Sequence, residues 1–235
     1  MIVAIVMQIM AKRFKRSTDE SWKIMEIRKD ILEKSFEKRS GRVMFPSSHD
    51  IVDISPFKEA SLTVLENLLS HGNDVLVTTK PRLSVVKDIE SKLGGYRELM
   101  QFRFTITSRD DELLGFWEPN APSFRERLTS LRFAFKKGYK TSVSIEPFLD
   151  YNPIRLVRIV EPYTTESIWI GRMNYLPRKN ILESEKPFYE KIRRNYETDH
   201  LWSLYNRLGK IPRIRFKDSI RNQLGLDSGL AHARC

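Results

Sequence analysis

Short apolar runs, each closed by a turn and followed by an amphipathic stretch of helical length, recur along this chain and constrain its fold more than any other feature. Arg42-Val43-Met44-Phe45 is too short for a helix and breaks at once into Pro46-Ser47-Ser48-His49-Asp50. It reads as a buried strand with a loop at its C-terminal end. The unit then repeats. A helix over Pro56–Ser70, carrying Leu62, Leu65, Leu68 and Leu69, runs through His71-Gly72-Asn73 into the strand Asp74–Thr79. A second helix, Leu83–Leu93, leads through Gly94-Gly95 to the strand Phe102–Thr107. A third, Ser123–Lys137, stops at Gly138, a natural C-cap, before the strand Thr141–Ile145 and Glu146-Pro147. A short helix, Ile154–Val160, precedes the strand Ser167–Gly171. Five strands starting roughly 25 to 40 residues apart, with one helix between each pair, are the signature of βαβ units and a parallel sheet.

Two stretches flank this rhythm. Trp22, Ile24, Ile27, Ile31 and Phe36 recur at helical spacing behind the capping residues Ser17, Thr18 and Asp19, which predicts a helix over Ser17–Glu37. Beyond Asn174 the pattern changes to charged helices, Glu183–Tyr196 and His200–Leu208, and a basic end, Ile211–Leu224. These read as a helical extension packed on the sheet unit.

In parallel α/β folds the ligand lies at the C-terminal ends of the strands, where side chains and loops converge. Those ends are polar throughout: Ser47-Ser48-His49-Asp50, Thr78-Thr79-Lys80, Thr105-Ile106-Thr107-Ser108, Ser144-Ile145-Glu146 and Arg172-Met173-Asn174. Lys80 can neutralise a carboxylate or phosphate, and the hydroxyls of Thr105, Thr107 and Ser144 can bind an amino group, a ribose or a carboxylate. Any one of these residues alone suits a helix cap as well; five polar strand ends together point to a rim pocket. His49 has no second His or Cys nearby, so it does not predict a metal site. Glu118-Pro119-Asn120-Ala121-Pro122, followed by Arg125 and Arg127, reads as a structural loop with an ion pair onto the next helix.

Charge and cysteine content narrow the function classes. Forty-one Lys and Arg against 30 Asp and Glu give a net charge of +11, which favours anionic partners, nucleic acid included. The positive residues are spread over Lys12–Arg16, the helix bearing Arg125, Arg127 and Arg132, and the tail, which equally suits a solvated surface. The one cysteine, Cys235, excludes disulfides within the chain and a cysteine-rich metal site. No run of about 18 apolar residues is present, so no membrane partner is expected. The start, Met1 to Met10, is apolar and then turns basic, the reverse of a signal peptide's order, which predicts a cytoplasmic protein.

Several motifs occur in one order: Phe45-Pro46-Ser47-Ser48-His49-Asp50, Val77-Thr78-Thr79-Lys80, Glu118-Pro119-x-Ala121-Pro122 with Arg127-Leu128, Gly138-Tyr139, and Ile170-Gly171-Arg172-Met173-Asn174. Together they resemble radical S-adenosylmethionine proteins of the spore photoproduct lyase-like group, from about Ala11 to Leu224. The resemblance implies a partial (β/α) TIM-type barrel over 1–175, lacking its first strand, with a helical extension over 176–235. It implies a rim that binds S-adenosylmethionine beside a [4Fe–4S] cluster fed by an electron donor. The cluster would cleave the cofactor to a 5′-deoxyadenosyl radical, and the protein would position and shield both. Carried over, Ser47 and Ser48 lie where the family holds the methionine amino group, with His49 beside them. Lys80 matches the carboxylate contact, assisted by Thr105 or Thr107, and Glu146 and Asn174 line the ribose, adenine or substrate side.

One departure is severe. The family's CxxxCxxC loop should stand just before Met10-Ala11-Lys12-Arg13-Phe14, and nothing in Met1–Met10 offers the thiolates that a cluster needs. Where Ile is encoded by ATT, Ile2-Val3 and Ile5-Val6 each contain TGT, a Cys codon, in a shifted frame. The same frame reads Tyr across Val6-Met7, if the Val codon ends in T, and Ala across Met7-Gln8. Cys-x-x-Cys-Tyr-Ala is how the family's loop often ends, so the chain is expected to begin out of frame and to rejoin near Met10, the alternative being a relative with a coincidentally apolar start that truly lacks the loop. The expected activity is therefore a radical S-adenosylmethionine domain inactive in reductive cleavage. A cluster-free nucleotide-binding protein and a basic nucleic-acid-binding protein are the alternatives.

Overall fold

The run Met100-Gln101-Phe102-Arg103-Phe104-Thr105 alternates apolar and polar residues without a break, and it forms the central strand of the molecule. The strands are β1 Val43–Phe45, β2 Val75–Thr79, β3 Met100–Thr105, β4 Lys140–Ile145, β5 Ile168–Ile170 and β6 Ile214–Phe216. The helices are α1 Lys29–Leu32, α2 Phe57–Ser70, α3 Leu83–Leu93, α4 Asp111–Trp117, α5 Phe124–Lys136, α6 Ile154–Val160, α7 Lys186–Asn195, α8 Thr198–Leu208 and α9 Asp218–Arg221. These elements come from a computed structural model that describes residues 26–226.

The six strands form one sheet in the order β1-β2-β3-β4-β5-β6, and each neighbouring pair is parallel. Right-handed crossovers between parallel strands place each connecting helix on a fixed side. Because the strand order never reverses, the crossover helices fall on one side and leave the opposite face free of them. That is a partial (β/α) barrel. Val75, Val77, Phe102, Phe104, Val143, Ile145, Ile168 and Ile170 point to the helix side and are wholly buried with Leu65, Leu69, Ile89, Leu131 and Ala134. Burial of each such side chain contributes about 1.5–3 kcal/mol. Their polar alternates, Gln101, Arg103, Thr105, Ser142 and Ser144, therefore face inward.

Local chemistry fixes the helix ends. Ser123 Oγ accepts the Glu126 N–H at 3.3 Å to start α5, and Gly138, at φ 81°, turns the chain out of it. Asp110 starts α4 by accepting the Glu112 N–H at 3.0 Å.

The fold departs from the sequence expectation in four places. The predicted helix Ser17–Glu37 is reduced, among the described residues, to Lys29–Leu32. Side chains from the α2 region occupy the following backbone instead. The Phe36 N–H donates to Asn67 Oδ1 at 3.2 Å, and the Arg39 N–H donates to Asn73 Oδ1 at 2.8 Å. Second, β3 starts two residues earlier than predicted, at Met100, and ends at Thr105, so Thr107 lies beyond it. Third, α4 was not expected. It packs through Phe116 and Trp117 onto Phe188 and Tyr189 of α7, the Phe116 and Phe188 rings stacked at 4.0 Å. Fourth, the tail is not purely helical. Ile214 and Phe216 form β6 beside β5, with the Lys217 N–H donating to the Ile170 carbonyl at 2.9 Å. Met1–Met10, the first part of the Ser17–Glu37 helix and Cys235 lie outside the described residues.

Candidate functional site

The inner face carries a chain of polar contacts from β1 to β6. Arg42, just before β1, hydrogen-bonds through Nη1 to Gln101 Oε1, and Gln101 Nε2 donates to Ser142 Oγ at 2.5 Å. Ser142 Oγ lies 3.3 Å from Ser167 Oγ, which also accepts from Trp169 Nε1 at 2.9 Å. Two cations approach the Trp169 ring, with Arg103 Cζ 5.3 Å and Lys217 Nζ 5.2 Å from its centroid. Lys217 Nζ also pairs with Glu146 Oε2 at 3.2 Å, and both side chains remain about a quarter to a third exposed (25% and 32%). Glu146 lies directly across Gly171. A Cβ there would stand 2.7 Å from Glu146 Oε1, so only glycine leaves room for the carboxylate.

Burial pulls the Arg103 guanidinium below its ordinary pKa, the nearby Arg42 charge adds to that fall, and Glu146 opposes it. The inner face is thus a polar, cation-rich surface backed by an apolar one. It can hold a ligand that carries hydroxyls and negative charge.

The nine residues predicted from sequence do not all converge. Thr105, Ser144 and Glu146 share the inner face at the C-terminal ends of β3 and β4. Lys80 stands at the end of β2, tied to Asp50: its N–H donates to Asp50 Oδ1 at 2.6 Å and its Nζ to Oδ2 at 3.2 Å. Ser48 and His49 line a groove of about 620 Å³ between α1, α2 and the loop after β1, together with Ile27, Ile31 and Phe57. Loss of solvent lowers the His49 pKa, with the Asp50 charge opposing. Ser47 and Asn174 are exposed loop residues. Thr107 is fully buried on the helix side, where its Oγ1 donates to Glu118 Oε2 at 3.1 Å. Its hydroxyl serves the core there and does not reach the inner face.

The same buried cluster bears out the ion pair read from the Glu118–Pro122 loop. Arg127 Nη1 lies 2.6 Å from Glu118 Oε2, with 0% and 1% of the two side chains exposed. Arg127 Nε donates to the Pro122 carbonyl at 2.8 Å, and Nη1 to the Thr105 carbonyl at 3.3 Å. The guanidinium therefore pins the end of β3 from behind, and this loop is structural.

Sequence reasoning missed Arg42, Gln101, Arg103, Trp169 and Lys217. The unbroken alternation over Met100–Thr105 was the available signal for Gln101 and Arg103. Lys217 follows a three-residue strand that leaves no periodicity to detect. Asp50, the anchor of Lys80, stood in the strand-end cluster without an assigned role.

Among the described residues no group of three or more His, Cys, Asp or Glu is placed to hold a metal ion, and none is a cysteine. The described residues do not fit a [4Fe–4S] cluster. No described helix is long and apolar enough to cross a membrane.

No family model matches the chain. An uncharacterized protein, ORF301, of Acidianus two-tailed virus is 30% identical over 113 residues, which make up 48% of this chain and 36% of that protein. The chain thus spans little more than a third (36%) of the curated relative it matches. Among solved structures, Streptococcus suis SuiB bound to S-adenosylmethionine has a TM-score of 0.47 at 11% identity, over 71% of this chain and 38% of that one. Spore photoproduct lyase with bound AdoMet and dinucleoside spore photoproduct has a TM-score of 0.47 at 18% identity, over 80% of this chain and 63% of that one. Each likeness is partial, and at these scores it identifies neither family nor activity.

Proposed function

We propose that this chain is the barrel of a radical S-adenosylmethionine-type protein of the spore photoproduct lyase-like group. Its inner rim receives S-adenosylmethionine, and these 235 residues do not carry out reductive cleavage themselves. In this reading 1–175 form the barrel unit and 176–235 an extension that lends it β6. A single cysteine suits a reducing compartment such as the cytoplasm.

One observation carries the reading: the polar tips Thr105, Ser144 and Glu146 open on the face away from the helices, beside a cation-rich strip, at the strand ends where α/β folds bind ligands. Thr105 and Ser144 offer hydroxyls to a ribose or an amino group. Glu146 offers a carboxylate to the ribose diol or to the sulfonium charge. Lys80 offers an ammonium to the methionine carboxylate, with Asp50 holding it in place. The cluster is a different matter. It needs thiolates that no described residue supplies, so an electron donor has nothing to reduce here.

Calorimetry with S-adenosylmethionine tests the reading. One-to-one binding, weakened at least tenfold in Glu146→Gln, is expected, while absence of binding overturns it. Anaerobic reconstitution with iron and sulfide should leave the protein colourless, and a brown chromophore would contradict the cluster-free assignment.

A second reading, nucleic-acid binding, is favoured by one specific patch. Tyr151, 56% exposed, stacks on His200 at 4.2 Å beside pockets lined by Arg155, Lys191 and Arg194. Affinity for single-stranded DNA that falls steeply with added salt and is lost in Tyr151→Ala would support it.

A further inference from the structure

The charges on the inner face do not balance. Arg42 just before β1, Arg103 in β3 and Lys217 just after β6 carry positive charge, and the carboxylate beside them, Glu146, is engaged by Lys217. Arg215 shares the face, in register with Trp169, and spends its Nη1 on the carbonyls of Pro212 and Ile214. Arg42 is bonded to a neutral amide, Gln101 Oε1. Arg103 makes no ion pair among the described residues, and its buried Nε has no hydrogen-bond partner. Its guanidinium leans on the Trp169 ring, with Lys217 on the same ring.

A desolvated guanidinium with an unsatisfied buried N–H and the like charge of Arg42 nearby costs free energy in the empty protein. An anionic ligand removes that cost. A carboxylate presents two oxygens in one plane and suits a single guanidinium. Cations brought from three separate segments suit a tetrahedral oxyanion, whose oxygens point in several directions, with the Arg103 fork taking two of them.

We propose that the inner face holds a phosphate-type oxyanion site built by Arg103 with Arg42 and Lys217, so that the ligand seated deep in the barrel is a phosphate ester. The inference deepens the adenosyl reading and rests on it only for what sits at the rim above. Free nucleotides and the phosphodiester of a nucleic acid share this chemistry.

The test is titration of the full chain with inorganic pyrophosphate by calorimetry at low salt. Wild type and the variants Arg103→Gln, Arg103→Lys and Lys87→Gln are compared, the last being an exposed control on α3. Saturable one-site binding is expected. It should weaken at least tenfold in Arg103→Gln, by a smaller factor in Arg103→Lys, which keeps the charge and loses the fork, and not at all in Lys87→Gln. Equal affinity in Arg103→Gln overturns the proposal, as does multi-site binding reduced alike by Lys87→Gln. If circular dichroism finds Arg103→Gln unfolded, Lys217→Gln takes its place, and unchanged affinity there is equally fatal. Competition by adenosine diphosphate assigns the site to free nucleotides, and competition by a short oligothymidine assigns it to nucleic acid. Competition by neither overturns the phosphate-ester ligand. S-adenosylmethionine is titrated in parallel. Pyrophosphate binding without S-adenosylmethionine binding sinks the rim reading alone, and the converse sinks this one.

Discussion

Two acid–base pairs stand at the same end of the sheet, on opposite sides of it, and they differ in almost every respect. Glu118 and Arg127 lie behind β3, sealed from water at 2.6 Å, and the guanidinium also bonds to the carbonyls of Pro122 and Thr105. Glu146 and Lys217 lie in front of β4 and β6, partly solvated at 3.2 Å, with an aromatic ring rather than a carbonyl as their third partner. A buried pair is costly to assemble and more costly to break, whereas a half-exposed pair contributes little and can be parted by a ligand. The first pair therefore belongs to the scaffold. The second is free to take part in binding.

The largest effect expected from this contrast is at Arg127. Arg127→Ala leaves the Glu118 carboxylate uncompensated in the core and should destabilise the protein by about 3–5 kcal/mol, measured by urea denaturation. The paired replacement Glu118→Leu with Arg127→Met should recover most of that loss. A single-variant cost below about 1 kcal/mol, the range of exposed pairs, would erase the distinction between the two sites.

Next comes Gly171→Ala. The added Cβ would meet Glu146 at 2.7 Å, so the carboxylate must swing away or the strand must shift, at about 1–3 kcal/mol for an overpacked site. Loss of S-adenosylmethionine binding should accompany it. Retained binding at full affinity would show that Glu146 is not where the ligand sits.

Lys217→Gln sharpens the comparison from the other side. Stability should change by less than about 1 kcal/mol, because the pair it breaks is half exposed. A stability loss as large as that of Arg127→Ala would make the front pair structural as well.

These differences also explain what could be read from the sequence. The helices α3 and α6 begin and end where periodicity placed them, because Leu83–Leu93 and Ile154–Val160 are bounded by turn residues and alternate at helical spacing. The ion pair of Arg127 was legible because a loop and its helix are close in sequence. The inner face was legible only in part. Thr105, Ser144 and Glu146 were found as strand ends, whereas Arg103 and Trp169 sit inside strands, where a polar residue reads as interruption until its face is known. Thr107 lies past the end of β3 at Thr105, where the strand's alternation no longer sets its direction, and its hydroxyl turns to Glu118. Ser48 and His49 could not be assigned to one side of β1, because three residues of strand fix no alternation. β6 has the same weakness, being three residues in a basic tail.

The remaining expected effect, of the same small order, lies at the opposite end of the barrel, where polar contacts serve stability. There Tyr139 Oη donates to Glu90 Oε2 at 2.6 Å, while Arg97 and Lys137 approach Oε1 at 3.2 and 3.4 Å. Burial pushes the Glu90 pKa up, but the Tyr139 hydroxyl and the charges of Lys137 and Arg97 outweigh it and hold the carboxyl below its ordinary value of 4.5. A carboxyl depressed in the folded state adds stability above its unfolded pKa and loses it as pH falls through the folded one. Burial, then the Glu90 contact, raises the Tyr139 pKa above its ordinary 10.0, so the folded protein loses stability as pH climbs past that value. Tyr139→Phe removes the hydrogen bond and the titrating phenol together. The wild-type advantage over it should be about 1 kcal/mol near pH 7. It should shrink below pH 4.5 as Glu90 protonates and again above pH 10.0 as the unfolded phenol ionises. Urea midpoints across pH 3 to 11 would trace this hump, and a pH-independent difference would mean that Tyr139 contributes packing alone and that the cluster at this end is not electrostatically coupled.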